Sequence, residues 1–169
     1  QTITVSVTDV NEFTPVITSN SGLSTTSISF AENNTAAVTT VTSTDEDGSS
    51  TATYSISSGA DAADFNIDSS SGVLTFVSTP NYENPNDSNL DNEYILEVEV
   101  SDGENTDSQA ITVSVTNLDD VNPVITSNAG GSSDAFDYSE NSNSQVTTVT
   151  STDEDNLPGT AYSKAGTDA

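Results

Sequence analysis

The stretch Gln1-Thr2-Ile3-Thr4-Val5-Ser6-Val7-Thr8 returns almost unchanged as Gln109-Ala110-Ile111-Thr112-Val113-Ser114-Val115-Thr116, an offset of 108 residues. The offset then holds without a gap. Residues 15–20 match 123–128, Glu32-Asn33 matches Glu140-Asn141, residues 38–47 match 146–155, and Tyr54 matches Tyr162, so that 29 of the 61 paired positions are identical. Self-similarity at a fixed long period is the signature of tandem structural units. It predicts one complete repeat over 16–116, preceded by the last strand of another copy (1–8) and a linker (9–15). A second linker (117–123) and the first part of a following copy (124–169) come after it. Neither end of the chain coincides with an expected boundary, so the sequence reads as a window on a longer array. The alternative is head-to-tail strand exchange, with 1–8 completing a neighbour's unfinished last unit.

Inside the complete repeat the apolar period is two. In Tyr94-Ile95-Leu96-Glu97-Val98-Glu99-Val100, the residues Tyr94, Leu96, Val98 and Val100 share one face and the two glutamates turn to water. Similar alternation marks Ile111, Val113 and Val115, and it pairs Ile28 with Phe30, Tyr54 with Ile56, Phe65 with Ile67 and Leu74 with Phe76, with Val38 and Val41, three apart, among them. Ser69-Ser70-Ser71-Gly72 between two such runs reads as a hairpin turn. No stretch supports a helix of three turns. The predicted fold is all-β: tandem antiparallel Greek-key β-sandwiches of seven strands each. The aromatics on these faces are expected in the core.

Charge restricts function sharply. Against 27 Asp plus Glu the chain has one basic side chain, Lys164, and its formal net charge is −26. No cationic surface is left to hold phosphates, which excludes nucleic acid. With no histidine, cysteine or arginine, thiolate zinc ligands, the commonest general base and guanidinium clamps are all missing. No apolar run is long enough to span a bilayer, so this segment does not insert in a membrane.

The carboxylates gather at the repeat junctions. Asp9-Val10-Asn11-Glu12-Phe13-Thr14-Pro15 and Asn117-Leu118-Asp119-Asp120-Val121-Asn122-Pro123 are acidic segments ending in proline, suited to short extended connections. To these are added Glu32 in Ala31-Glu32-Asn33, the Asp45-Glu46-Asp47-Gly48 turn, Glu83 in Asn81-Tyr82-Glu83, and Asp102-Gly103. In order and spacing this set resembles the cadherin repeat, whose linker reads D-x-N-D-N-x-P. The resemblance implies a calcium site at each linker. The first would draw on Asp9, Asn11, Glu12, Asp45, Asp47 and Asp102. The second would draw on Glu32, Glu83, Asn117, Asp119, Asp120, Asp153 and Asp155, with Glu140 the counterpart of Glu32 in the next copy. Asn117 and Asp119 exchange the residue types usual at their positions, which bears on how many ions a junction holds.

The chemistry stands beside the resemblance. Calcium accepts six to eight oxygens in irregular geometry, so carboxylates from loops suffice, whereas magnesium demands a stricter octahedron. Each pair of like charges brought to about 5.5 Å costs about 3 kcal/mol at an effective dielectric of about 20, and divalent ions turn that repulsion into attraction. An EF-hand does not fit, because Asp45 is not followed by its glutamate at position twelve. Weaker calcium candidates are Asp87, Asn89 and Asp91, alternating in a long loop. The expected role is a calcium-binding repeat of an extracellular or cell-surface array, stiffened at its junctions and serving as adhesion protein or rigid spacer. Its partners would be the neighbouring repeats, other copies of the chain, or a cell-surface or glycan ligand. The acidity and the abundance of Ser, Thr and Asn resemble a bacterial surface adhesin more than an animal cadherin. The alternatives are a filament or sheath subunit in which calcium only stiffens, and a carbohydrate-binding module, for which Phe13 and Tyr82 are the aromatics free of the strand pattern. A hydrolase using paired acids is disfavoured, since no apolar pocket is implied to raise a carboxylate pKa, and no enzyme activity is expected.

Overall fold

A computed structural model describes residues 1–8, 10–48, 51–155 and 161–163. The chain divides into two compact units, Gln1–Asn117 and Leu118–Ala169. In the first, nine strand segments follow one another: β1 (Val16–Ile17), β2 (Thr25–Ala31), β3 (Thr39–Thr40), β4 (Ser43–Thr44), β5 (Thr53–Ser58), β6 (Phe65–Ile67), β7 (Val73–Phe76), β8 (Glu93–Ser101) and β9 (Thr106–Thr116). A four-stranded sheet runs β2-β9-β8-β5 and a three-stranded sheet β3-β7-β6, while β1 pairs with β4. All pairings are antiparallel except that of β2 with β9.

The expected seven strands become nine segments because two of them change partner part-way. The 3-10 turn Ser19–Gly22 separates β1 from β2, with Asn20, Ser21 and Gly22 all at positive φ. Likewise β3 pairs with β7 and β4 with β1, so Val41-Thr42 between them carries the crossing from one sheet to the other. The hairpin at 69–72 is as expected. Gly72 donates its N–H to the Asp68 carbonyl, and its φ of +70 is open to glycine at no steric cost.

Alternation places the core. Leu96, Val98, Val100, Ile111, Val113 and Val115 are buried, and so are Phe30, Phe65, Leu74 and Tyr94. Phe76 stacks between Phe65 (centroids 4.4 Å) and the edge of Tyr94 (5.1 Å). Glu97 and Glu99, on the opposite face of β8, are half-buried instead of fully wet, and the Glu97 carboxylate accepts the Ser58 hydroxyl at 3.0 Å. This contact sits where the β5–β8 register shifts, between Ile56 and Ser58.

The segment Gln1–Thr8 forms no strand. Ile3, Val5 and Val7 are 78–93% exposed, while their counterparts Ile111, Val113 and Val115 are buried between β2 and β8. Among the described residues no strand stands beside 1–8 to receive it, and a two-sided ladder is what holds the same sequence at β9.

The second unit repeats the start of the first. β10 (Val124–Ile125) pairs with β11 (Ser151–Thr152), and the Thr126 and Ser127 N–H groups reach the Thr150 carbonyl at 2.8 and 3.3 Å, as Thr18 and Ser19 reach that of Thr42. Asn128 and Ala129 adopt the left-handed conformation of Asn20 and Ser21. Residues 133–139, the counterpart of β2, form no strand and leave Phe136 and Tyr138 exposed, and among the described residues no strand pairs with them.

Candidate metal centres

At the N-terminal end of the first unit, three loops converge. The 45–48 turn is closed by the Asp45 carboxylate, which accepts the Asp47 N–H at 2.9 Å. This is the local turn that Asp at its first position favours. Asp47 is then free to reach the linker, where its Oδ2 accepts the Phe13 N–H at 2.8 Å across 34 residues. The β8–β9 turn brings up Asp102, whose Oδ1 accepts the N–H groups of Asn105 (2.7 Å) and Glu104 (2.8 Å). Those two bonds, that from Asn105 first, hold the Asp102 carboxyl below its ordinary pKa and keep it ionised. Asn11 lies half-buried in the same place, and Glu12 is exposed.

Asn11 Oδ1 and Asp102 Oδ2 are shielded from water and meet no donor at hydrogen-bonding geometry, while the side-chain amides of Asn11 and Asn105 lie close enough to the Asp102 carboxylate to help lower its pKa. A buried oxygen without a donor is costly unless something positive meets it. One is a carboxylate and the other an amide oxygen, the donor types that a hard cation takes and a soft one declines. Asp47 is thus tied to the linker at Phe13 and Asn11 lies against Asp102, with Asp45 in the same turn as Asp47. Asp9 lies outside the described residues.

The other end of this unit holds Glu32 and Glu83. Glu32 follows β2 and is 1% exposed, with its backbone N–H on the Thr116 carbonyl at 3.1 Å and its Oε2 accepting the Tyr82 N–H at 2.8 Å. Glu83, half-buried, presents a carboxylate oxygen within 4.8 Å of one from Glu32. Asn117, half-buried, follows β9. In the second unit Asp155 is 3% exposed and its Oδ2 accepts the Val121 N–H at 2.8 Å, the same bond that Asp47 makes with Phe13. Asp153 closes the turn to Asp155 N–H at 3.3 Å. Asp119, Asp120 and Glu140 are exposed.

The long loop behaves differently. Asp87 is 2% exposed, and its two oxygens accept the N–H groups of Asp91 (2.8 Å) and Asn92 (3.1 Å). Asp91 accepts from Glu93 N–H and from the Asn89 amide. The alternating oxygens thus cap their own loop. Asp61, which the sequence reading does not single out, pins the same loop to β8 by accepting Ser88 N–H (2.6 Å) and Ile95 N–H (2.7 Å). Nearby Asp64 has its pKa raised, by burial first and then by Asp61 and Asp87.

A family model for the cadherin domain matches residues 26–116. The chain belongs to the cadherin domain family. Among solved structures, this cadherin chain is similar to the protocadherin GammaB4 extracellular domain, at 27% identity and TM-score 0.58, over 70% of this chain and 18% of that one. Human desmocollin-1 ectodomain aligns at 22% identity and TM-score 0.64 over 89% and 28% of the two chains. Drosophila N-cadherin EC1-4 aligns at 19% identity and TM-score 0.55, over 67% and 27%. The last two likenesses show the fold, the cadherin β-sandwich, and this chain spans under a third of each of the three. No curated protein matches it. Among the described residues no helix is long and apolar enough to cross a membrane.

Proposed function

We propose that the chain is a calcium-binding cadherin repeat of an extracellular array, and that calcium held at the two ends of each repeat converts a hinge into a stiff joint. The observation that carries this reading is the pair of shielded oxygens with no donor at bonding geometry, Asn11 Oδ1 and Asp102 Oδ2, at the end of the unit where Asp47 holds the linker backbone. Asn11, Asp45, Asp47 and Asp102, with Asp9 and Glu12 in the linker, would hold ions at one end. Glu32, Glu83 and Asn117 would do so at the other, and Asp119, Asp120, Asp153 and Asp155 repeat the arrangement in the next copy. Calcium would supply fixed positive charge and nothing more. Millimolar calcium outside cells suits sites with dissociation constants of about 10⁻⁴ to 10⁻³ M. The bias toward Ser, Thr and Asn, with no cysteine, favours a large surface adhesin of bacterial type. Calorimetry and small-angle scattering on two whole repeats, with calcium and with chelator, test the proposal. Heat on calcium addition and a longer particle are expected, and an unchanged length would count against the joint.

A second reading, lateral packing into a filament or sheath, is supported by the outward face of the four-stranded sheet. Ser27, Thr112 and Ile95 lie in one row across it, and Ser29, Ser114 and Glu93 in another, with no Trp or Arg to anchor a specific partner. Separate threads in electron micrographs of the array would disfavour it. Glycan binding draws less support, since Phe13 and Tyr82, the candidate platforms, stand at opposite ends of the first unit, one beside Asp47 and the other beside Glu32. We propose no enzymatic role. Burial, then Asp61 and Asp87, raise the Asp64 pKa, but those two carboxylates are spent on backbone N–H groups. Hydrolysis of any member of a glycan panel would reverse this.

A further inference from the structure

At each end of the first unit, the backbone of one residue is gripped on both sides by side chains distant in sequence. Phe13 gives its N–H to Asp47 Oδ2 (2.8 Å), and its carbonyl accepts the Asn105 amide (3.1 Å). Tyr82 gives its N–H to Glu32 Oε2 (2.8 Å), and its carbonyl accepts the Asn92 amide (3.0 Å). In each grip the carboxylate belongs to the candidate ligand set and the amide does not. The gripped residue adjoins ligands in both cases: Glu12 precedes Phe13 and Glu83 follows Tyr82.

Both asparagines are themselves anchored. Asn105 gives its N–H to Asp102 Oδ1, and its carbonyl accepts the Asp102 N–H and the Ser101 hydroxyl, each at 3.3 Å. Asn92 gives its N–H to Asp87 Oδ1 (3.1 Å), and its carbonyl accepts the Val115 N–H (2.9 Å). Its φ of +65 is a conformation asparagine tolerates better than most residues. An uncharged donor is the chemistry such a position needs. It holds a carbonyl without repelling a cation, as lysine would, whereas an aspartate in its place is acceptor-only.

We propose that Asn92 and Asn105 are positioning residues of the two ends. Each fixes the backbone of a ligand-bearing segment before any ion arrives, so the cost of ordering mutually repelling carboxylates is met on folding and not on binding. The purpose of the grip rests on the calcium reading above, but its existence does not.

The test uses the full chain with Asn105→Ala and Asn92→Gly, glycine sparing the positive φ; Asn92→Asp is the second variant should the glycine unfold. In chelator, amide hydrogen exchange at Phe13 should speed up several-fold in the Asn105 variant alone, and at Tyr82 in the Asn92 variant alone. Titration with calcium chloride, followed by resolved amide resonances, should show affinity about five- to tenfold weaker at Asn11 and Asp102 in the first. The same loss should appear at Glu32 and Glu83 in the second, as expected for one lost hydrogen bond. Wild-type exchange in both variants, or equal losses at both ends in each, would overturn the proposal. If no wild-type resonance responds to calcium, the calcium reading falls, and the exchange comparison alone upholds or overturns the grip.

Discussion

Single atoms decide several positions. A Cβ added at Gly72 would sit 2.1 Å from the Val41 carbonyl oxygen, and one at Gly59 would sit 2.4 Å from Leu96 Cα, both against backbone that cannot yield. At Gly48 a Cβ meets nothing within 4 Å, though φ is +66. Gly48→Ala should therefore cost only the left-handed penalty of about 1 kcal/mol, and Gly72→Ala clearly more, as read by urea unfolding. The pKa values of two aspartates near one hairpin are displaced in opposite directions. Asp68, held by the Ser71 N–H, the Ser71 hydroxyl and the Ser70 N–H, is lowered from 3.8, and Asp64 is raised from 3.8. The stability Asp68 lends is complete above that value and drains as pH falls through its folded pKa. What Asp64 lends is complete below it and is lost as pH rises through its folded pKa. Carboxyl resonances followed over pH 2 to 6 should show Asp68 titrating below 3.8 and Asp64 above it.

The elements owe their faces to alternation and their ends to polar ties. β8 and β9 register Leu96 with Ile111 and Tyr94 with Val113, so a slip of one residue would turn a whole buried row to solvent. Leu96 is 1% exposed, and Leu96→Ala should lower unfolding free energy by about 2 to 5 kcal/mol in a denaturant titration. The buried Gln109 shows how a strand is tied to a turn. Its amide donates to the carbonyls of Ser19 and Leu23 while its oxygen accepts from Asn20, so the left-handed turn between β1 and β2 is fixed to β9.

For the whole molecule the net charge of −26 is the governing quantity, because folding concentrates carboxylates that the extended chain keeps apart. Calcium at about a hundredfold above its dissociation constant should add about 2.7 kcal/mol per independent site. The thermal midpoint should accordingly rise with calcium and be insensitive to matched sodium chloride beyond ordinary screening. Glu32→Gln should remove most of the calcium-dependent part at its end. An equal rise in wild type and Glu32→Gln would show that Glu32 holds no ion.

What the sequence determined by itself was whatever repeats or alternates. The offset of 108 residues and the recurring acids are legible in the chain alone, and the two-residue period chose the faces of β8 and β9. Each of these is local or periodic, and local sterics with hydrophobic phase suffice to express it. Tertiary structure alone decided which side chains tie distant segments together. Asn105 meets Phe13 across 92 residues, Asn20 meets Gln109 across 89 and Asp61 meets Ile95 across 34. In a chain crowded with asparagine and aspartate, no spacing rule selects these few. They are selected by where the packed sheets bring an N–H or C=O that lacks a partner.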